Sequence, residues 1–221
     1  MKTELVVFDI DGLLINSEES GRKAWQEIAD RYDLNLPTNF FYGIQDVGSE
    51  QKEKLLRESY WLAEHHDEVA VNAAAYWKSH RESGTDLLIE DGLLLLDYLS
   101  RNNIPIALVS SRNRSHMDEM INDHLSAYNF AATVSGDEVF AGKPDPAMYL
   151  KVCAMVHARP SHTFVIEDSL YGIQSAYLAN TKPIYVETTR IVDESIEKFC
   201  IGHFGKISDV IDYLKETSVI A

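Results

Sequence analysis

The stretch Leu5-Val6-Val7-Phe8-Asp9-Ile10-Asp11-Gly12-Leu13 decides how this chain reads. Leu5 to Phe8 are apolar and rich in β-branched and aromatic types, the pattern of a strand buried on both faces. The strand then runs into two aspartates one residue apart, followed by glycine. Taking two neighbouring carboxylates out of water is costly unless a cation or a proton offsets them. The carboxyl ends of parallel strands are also where open α/β sheets bind their ligands. The segment reads either as a metal-dependent site on a first strand or as a plain strand ending in an Asp-Gly turn.

Three further segments follow in an order that suits phosphoryl-transfer chemistry. Ile104-Pro105-Ile106-Ala107-Leu108-Val109-Ser110-Ser111 is an apolar strand ending in hydroxyls. Gly142-Lys143-Pro144-Asp145-Pro146 presents a lysine just before a helix start, and Thr163-Phe164-Val165-Ile166-Glu167-Asp168-Ser169 is a buried strand ending in two acids. Each has a bland alternative: a turn hydroxyl, a solvated loop lysine, and an acidic helix N-terminus favoured by the helix dipole. Four such ends in this order argue together for a site.

The 221 residues suit one large domain, or a core with a smaller inserted one. A net charge of −15 argues against nucleic acid or anionic membrane as a partner, and it requires a local lysine or cation wherever a phosphate binds. No segment reaches the roughly 20 apolar residues of a membrane span. Glu4 and Asp9 come too early for a signal peptide. Cys153 and Cys200 make no disulfide framework and read as small apolar groups, so the expected setting is cytoplasmic and reducing.

After the first strand the periodicity turns helical for about 70 residues. Trp25, Ile28, Ala29 and Tyr32 recur at helical spacing with Ser17 as a candidate N-cap, Ser49 opens a second helix, and a third runs roughly from Asp67 to Glu82. From Asp91 helix and strand alternate. Helices are expected at Gly92–Arg101, around Ser115–His124, after Asp145 with Pro146 at its first position, at Ser169–Asn180 and near Ser208–Lys215. Strands are expected at Ile104–Ser110, Ala131–Ser135, Thr163–Glu167 and Pro183–Val186. Such alternation implies a parallel sheet covered by helices on both faces.

The chain resembles the haloacid dehalogenase superfamily of phosphotransferases, and within it the β-phosphoglucomutase-like phosphatases with a helical cap. DIDGL at 9–13, the strand ending at Ser110, GKPDP at 142–146 and IEDS at 166–169 carry the resemblance, with VSGDEV at 134–139 leading into GKPDP. It implies an α/β fold: a doubly wound, Rossmann-like parallel sheet with an inserted α-helical cap. Residues 1–16 and 88–221 would form the core and 17–87 the cap, hinged near Asn16–Ser17 and Gly84–Asp86.

The resemblance also implies roles. Asp9 is the nucleophile that forms an aspartyl-phosphate, and Asp11 is the general acid–base. The intervening Ile10 side chain points the other way in an extended chain, which lets both carboxylates face one pocket. Mg²⁺ takes the Asp9 carboxylate, the Asp11 backbone carbonyl and the Asp168 carboxylate, with Glu167 behind, orienting a water. Ser110 binds a phosphoryl oxygen with help from the Ser111 amide, and Lys143 neutralises phosphate and Asp9. A P-loop is excluded, because GKPDP lacks the spaced glycines and the Ser/Thr after lysine.

Arg112 and Asn113 follow the serines and are candidates for substrate contact. Tyr42-Gly43-Ile44-Gln45-Asp46 is either a plain interhelical turn or the loop with which the family reads its substrate, through Tyr42, Gln45 and Asp46. His65-His66 are poor co-ligands, since neighbours on a helix point about 100° apart. Tyr76-Trp77 read as helix packing.

The chain departs from the mutase pattern at Gly21, where mutases carry histidine, and at Asp46, where they carry an arginine suited to a second phosphate. The Ala73–Ala75 run also lacks an expected lysine. The expected function is a monomeric Mg²⁺-dependent phosphatase of a small phosphorylated metabolite, a sugar or polyol phosphate. The alternatives are a β-phosphoglucomutase-type mutase, or a phospho-acceptor module without turnover.

Overall fold

The computed structural model describes residues 3–16, 88–188 and 194–216, with 23, 26–27, 29–31, 33, 67–68, 71–72, 75 and 79 between them. Its centre is a parallel sheet. β1 (Leu5–Asp9), β2 (Ile106–Ser110), β3 (Ala132–Ser135), β4 (Thr163–Glu167), β5 (Lys182–Val186) and β6 (Gly202–Phe204) lie in the order β3-β2-β1-β4-β5-β6. All five pairings are parallel. Strand order therefore runs outward in both directions from β1 and β4. The carboxyl ends of that central pair form the crevice where doubly wound sheets bind ligands.

Five helices cover the sheet among the described residues: α1 (Glu90–Arg101), α2 (Arg114–Met120), α3 (Ala147–Met155), α4 (Leu170–Leu178) and α5 (Asp209–Glu216). Alternate residues of β1 divide between two cores. Val6 and Phe8 pack with Leu95, Leu99, Val210 and Leu214 from α1 and α5. Leu5 and Val7 pack with Met148, Val152 and Ala176 from α3 and α4. Burial on both faces explains why β1, β2 and β4 read as continuous apolar runs.

Several boundaries differ from expectation. β2 begins at Ile106, because Pro105 has no amide proton to give a ladder and only its carbonyl pairs, accepting from Val6 N at 3.0 Å. α3 starts one residue later than expected, with Pro146 rather than Asp145 as its N-cap, and Asp145 Oδ1 accepts from the Ala147 amide at 2.9 Å. α2 gives way to a π-helical turn over Ile121–Leu125. β6 was not anticipated: it has three residues, all half-buried, and shows no alternation long enough to read.

The two core segments on either side of residues 17–87 meet at one place. Ile15 and Leu88 form an antiparallel bridge, and the Ile89 amide donates to Leu14 O at 2.9 Å. Of the segment between, described positions such as Gln26, Glu27, Asp67, Glu68 and Val71 are helical, and Arg31 pairs with Glu68. The expected hinge residue Ser17 and the Gly84–Asp86 hinge lie outside the described residues, as do Tyr42, Gln45, Asp46, His65, His66, Tyr76 and Trp77. Among the described residues no helix is long and apolar enough to cross a membrane. Cys153 is buried and Cys200 half-buried, both as free thiols.

Candidate active site

Asp9 closes β1, and Ile10 turns its side chain into the core beneath. The chain then turns sharply: the Gly12 amide donates to Ile15 O at 2.9 Å, and Gly12 has φ of 79°. Glycine is required there twice over. Glycine adopts this left-handed backbone at little steric cost, and a Cβ on Gly12 would lie 2.1 Å from Asp168 Oδ2. The turn after β1 and the carboxylate after β4 are thus packed against each other.

One half of the site is dry. Asp9 is 5% exposed, Lys143 4%, Glu167 0% and Asp168 1%. The Lys143 ammonium donates to Asp9 Oδ1 at 2.5 Å and also to Glu167 Oε1. The Tyr149 hydroxyl donates to the same Glu167 oxygen at 2.7 Å. Glu167 Oε2 accepts from the Asp168 and Ser169 amides, each at 3.1 Å, and from Ser169 Oγ at 3.0 Å. Ser169 in turn caps α4, accepting from the Gly172 amide at 3.0 Å. A Cβ on Gly172 would collide with Glu167 Oε1 at 1.9 Å, so this helix start admits the buried carboxylate only with glycine there.

Burial pushes the Asp9 carboxyl above the ordinary carboxylate range; Lys143 pulls it back, while Glu167 and Asp11 add to the rise. Burial works against charge on Lys143, but Asp9 and Glu167 outweigh it and hold the ammonium firmly protonated. The segment before Lys143 is anchored on a capping box in which Ser135 and Glu138 bond reciprocally, and Arg114 pairs with Glu138.

The other half is partly exposed at Asp11 and Arg112, over a buried Ser110. Arg112 Nε donates to Asp11 Oδ1 at 2.9 Å and to Oδ2 at 3.1 Å, and its Nη2 lies 2.9 Å from Oδ1. Ser110 Oγ donates to Asp11 Oδ2 at 3.2 Å and accepts from the Arg112 amide at 3.2 Å. Asn113 is engaged as the N-cap of α2, its side chain accepting from the His116 amide at 2.9 Å. Ser111 lies where Gly136 crosses: a Cβ on that glycine would be 2.4 Å from Ser111 O.

Asp9, Asp11, Ser110, Lys143, Glu167 and Asp168 thus converge at one end of the sheet from four separate segments. Glu167, expected to face a water behind the ion, spends both oxygens on Lys143, Tyr149, Ser169 and the Asp168 amide. Arg112, expected at the substrate, has its guanidinium on Asp11. The sequence reading missed Tyr149, Ser169 and Thr188, whose Oγ1 donates to Asp168 Oδ2 at 3.0 Å. Thr188 had a readable signal, a hydroxyl two residues past a buried strand of the sheet. Tyr149 had only its place in the helix after GKPDP.

Asp9 at the end of β1 and Asp168 just after the adjacent β4 could offer carboxylates to a hard divalent cation, and among the described residues named in this cluster there is no sulfur or imidazole donor. Among the described residues no three His, Cys, Asp or Glu side chains group tightly enough to hold an ion by themselves. A set of two carboxylates, one backbone carbonyl and waters does not need a third side chain.

Residues 6–186 match the family model of the haloacid dehalogenase-like hydrolases. The validoxylamine A 7'-phosphate phosphatase of Streptomyces hygroscopicus subsp. limoneus is 27% identical over 187 residues, 84% of this chain and 86% of that protein. The phosphorylated carbohydrates phosphatase of Thermotoga maritima is 28% identical over 185 residues, 82% of this chain and 84% of its own. The crystal structure of a β-phosphoglucomutase from Clostridium difficile superposes with a TM-score of 0.74 at 20% identity, covering 97% of this chain and 96% of the other.

Proposed function

We propose that this chain, which belongs to the haloacid dehalogenase-like hydrolases and is a phosphoric monoester hydrolase, cleaves a small sugar or polyol phosphate through a phosphorylated Asp9 and with Mg²⁺. The observation that carries this reading is the Lys143 ammonium held between Asp9 and Glu167 in a dry pocket, with Asp11 and Ser110 beside it. Phosphoryl transfer depends mainly on positioning and on cations placed where charge develops.

In the proposed reaction an Asp9 oxygen attacks phosphorus and the ester oxygen leaves, taking a proton from Asp11. Asp11 then takes a proton from a water, which attacks the phosphorylated Asp9 and releases inorganic phosphate. Ser110 Oγ and the Ser111 amide hold phosphoryl oxygens. Lys143 balances the charge on Asp9 and on the phosphoryl group, and Glu167 keeps that ammonium in place. Mg²⁺ would be held by the Asp9 and Asp168 carboxylates and the Asp11 carbonyl. When bound it offsets the repulsion between Asp9 and the incoming phosphate. To exchange protons with the substrate, Asp11 frees an oxygen from Arg112, which a half-exposed ion pair does at small cost.

Residues 17–87 are read as a helical cap. The junction of Ile15 with Leu88 supports this, since an inserted unit leaves and re-enters the core at one point. Tyr42, Gln45 and Asp46 would read the leaving group, with Arg112 available once it releases Asp11. The protein is read as a cytoplasmic monomer. A mutase of the same family would share the fold of this core. It also needs a second cationic clamp for a bisphosphate, and Asp46 stands where that clamp is expected.

The test is phosphate release from a panel of sugar, polyol and nucleotide monophosphates, with Mg²⁺ and with chelator. Release that requires both Mg²⁺ and Asp9 supports the reading. An isomeric sugar phosphate produced from a hexose 1-phosphate would move the protein to the mutases. Wild-type protein inert toward the whole panel would overturn both.

A further inference from the structure

We propose that Tyr149 is a positioning residue for Lys143, its hydroxyl dividing the ammonium between Asp9 and Glu167. The inference rests on the reading of Asp9 as nucleophile and names a residue which that reading does not use. Tyr149 lies in the first turn of α3, fully buried, six residues past the lysine. Its side chain belongs to the core under β1 and β2, where a phenylalanine would pack equally well. A tyrosine placed there commits a hydroxyl to the dry interior, and a buried hydroxyl is costly without an acceptor.

Its acceptor is Glu167 Oε1, at 2.7 Å, the oxygen that also receives Lys143. The opposite carboxylate oxygen is already occupied by the Asp168 and Ser169 amides and Ser169 Oγ. Glu167 is therefore fixed on its Oε2 side, and Oε1 is where its remaining pull on the ammonium is exerted. The tyrosine proton spends part of that pull. Without it, Oε1 would draw Lys143 off Asp9, and the cation would leave the place where the reaction develops charge. The Tyr149 ring also passes 5.9 Å from the ammonium, close enough to limit where it can move.

The experiment compares Tyr149→Phe, Glu167→Gln and the double variant. In otherwise wild-type protein, Tyr149→Phe should melt cooperatively, lower kcat for p-nitrophenyl phosphate about tenfold and change KM less than about twofold, since hydrogen bonds to charged groups contribute on this scale. In the Glu167→Gln background, removing the hydroxyl should change kcat less than about twofold, because a neutral amide cannot compete for the cation. Equal losses in both backgrounds, no loss at all, or a Tyr149→Phe protein that fails to fold would each overturn the proposal, by making the hydroxyl a packing element. The Lys143 ammonium resonance, followed by ¹⁵N NMR, supplies a readout independent of turnover. It should shift on Tyr149→Phe only where Glu167 is present. An unchanged resonance overturns the proposal even if Asp9-dependent hydrolysis holds. Hydrolysis that survives Asp9→Asn overturns the enzymatic reading instead, and leaves the resonance to decide this one.

Discussion

The two halves of the site are built on opposite principles. Around Asp9, Lys143, Glu167 and Asp168 every side chain is at least nine-tenths buried, and the charges are fixed by short bonds from β1, β4, α3 and the start of α4. Around Asp11, Arg112 and Ser110 the ion pair stands partly in water, with side chains 19% and 28% exposed. Dry, fixed charges suit the stabilisation of a phosphoryl group, where reorganisation during the reaction is costly. A half-exposed carboxylate suits proton transfer, which needs a group able to change partners. On the proposed reading, electrostatics fall to one half and proton movement to the other.

Substitutions can break that division, beginning with the largest effect. Asp9→Asn should lower phosphate release by about 10⁴-fold or more while the fold survives, because an amide cannot replace the carboxylate proposed to attack phosphorus. Steady-state assays beside a thermal melt would show it, and substantial residual turnover would remove Asp9 as nucleophile. Lys143→Met should cost both rate and stability. Two buried carboxylates would lose their cation, a loss on the order of 3–5 kcal/mol, read by urea denaturation. A stable, folded variant would mean that the dry half tolerates uncompensated charge.

Asp168→Ala should weaken apparent Mg²⁺ affinity, by at least the ~10–100-fold seen when even the partners of metal ligands are removed. A Mg²⁺ titration curve overlapping that of wild type would exclude it from the ion's shell. Arg112→Ala sharpens the contrast with Lys143. Removing a cation from the half-exposed side should change stability by less than ~1 kcal/mol, and a loss matching that of Lys143→Met would erase the distinction between halves.

The smallest effect lies outside the cleft. Burial alone would raise Glu138, but the Ser135 amide and Arg114 hold it down to about 2, against an ordinary 4.5. A carboxyl held low contributes stability that is complete above its unfolded value and fades as pH falls through its folded one. Acid melting between about pH 4.5 and 2 should therefore include a Glu138 component. Glu138→Gln should flatten the pH dependence of Tm there, and an identical profile would show that the pair contributes nothing.

Much of this was legible before any fold was in hand, and the reasons are local. β1, β2 and β4 were readable because strands covered on both faces must be apolar throughout, and each ended in a polar residue that the apolar run itself does not call for. The Thr163–Glu167 strand matches residue for residue. β6 was hidden because three half-buried residues at a sheet edge carry no period. Arg112 was read toward the substrate because its partner, Asp11, is 101 positions away in the chain. Nothing local to either residue announces such a pairing.

The sequence by itself determined the class of fold, and it pointed to the acids, hydroxyl and lysine that the structure gathers at one end of the sheet. Those follow from hydrophobic period and from the cost of burying charge, which are written in neighbouring residues. Only the tertiary structure decided who holds whom: Lys143 between Asp9 and Glu167, Tyr149 on that same glutamate, Arg112 on Asp11. Those partnerships join residues 18 to 134 positions apart. They depend on which strands become neighbours and on how deeply each carboxylate is buried, quantities that exist only once β1 and β4 lie side by side.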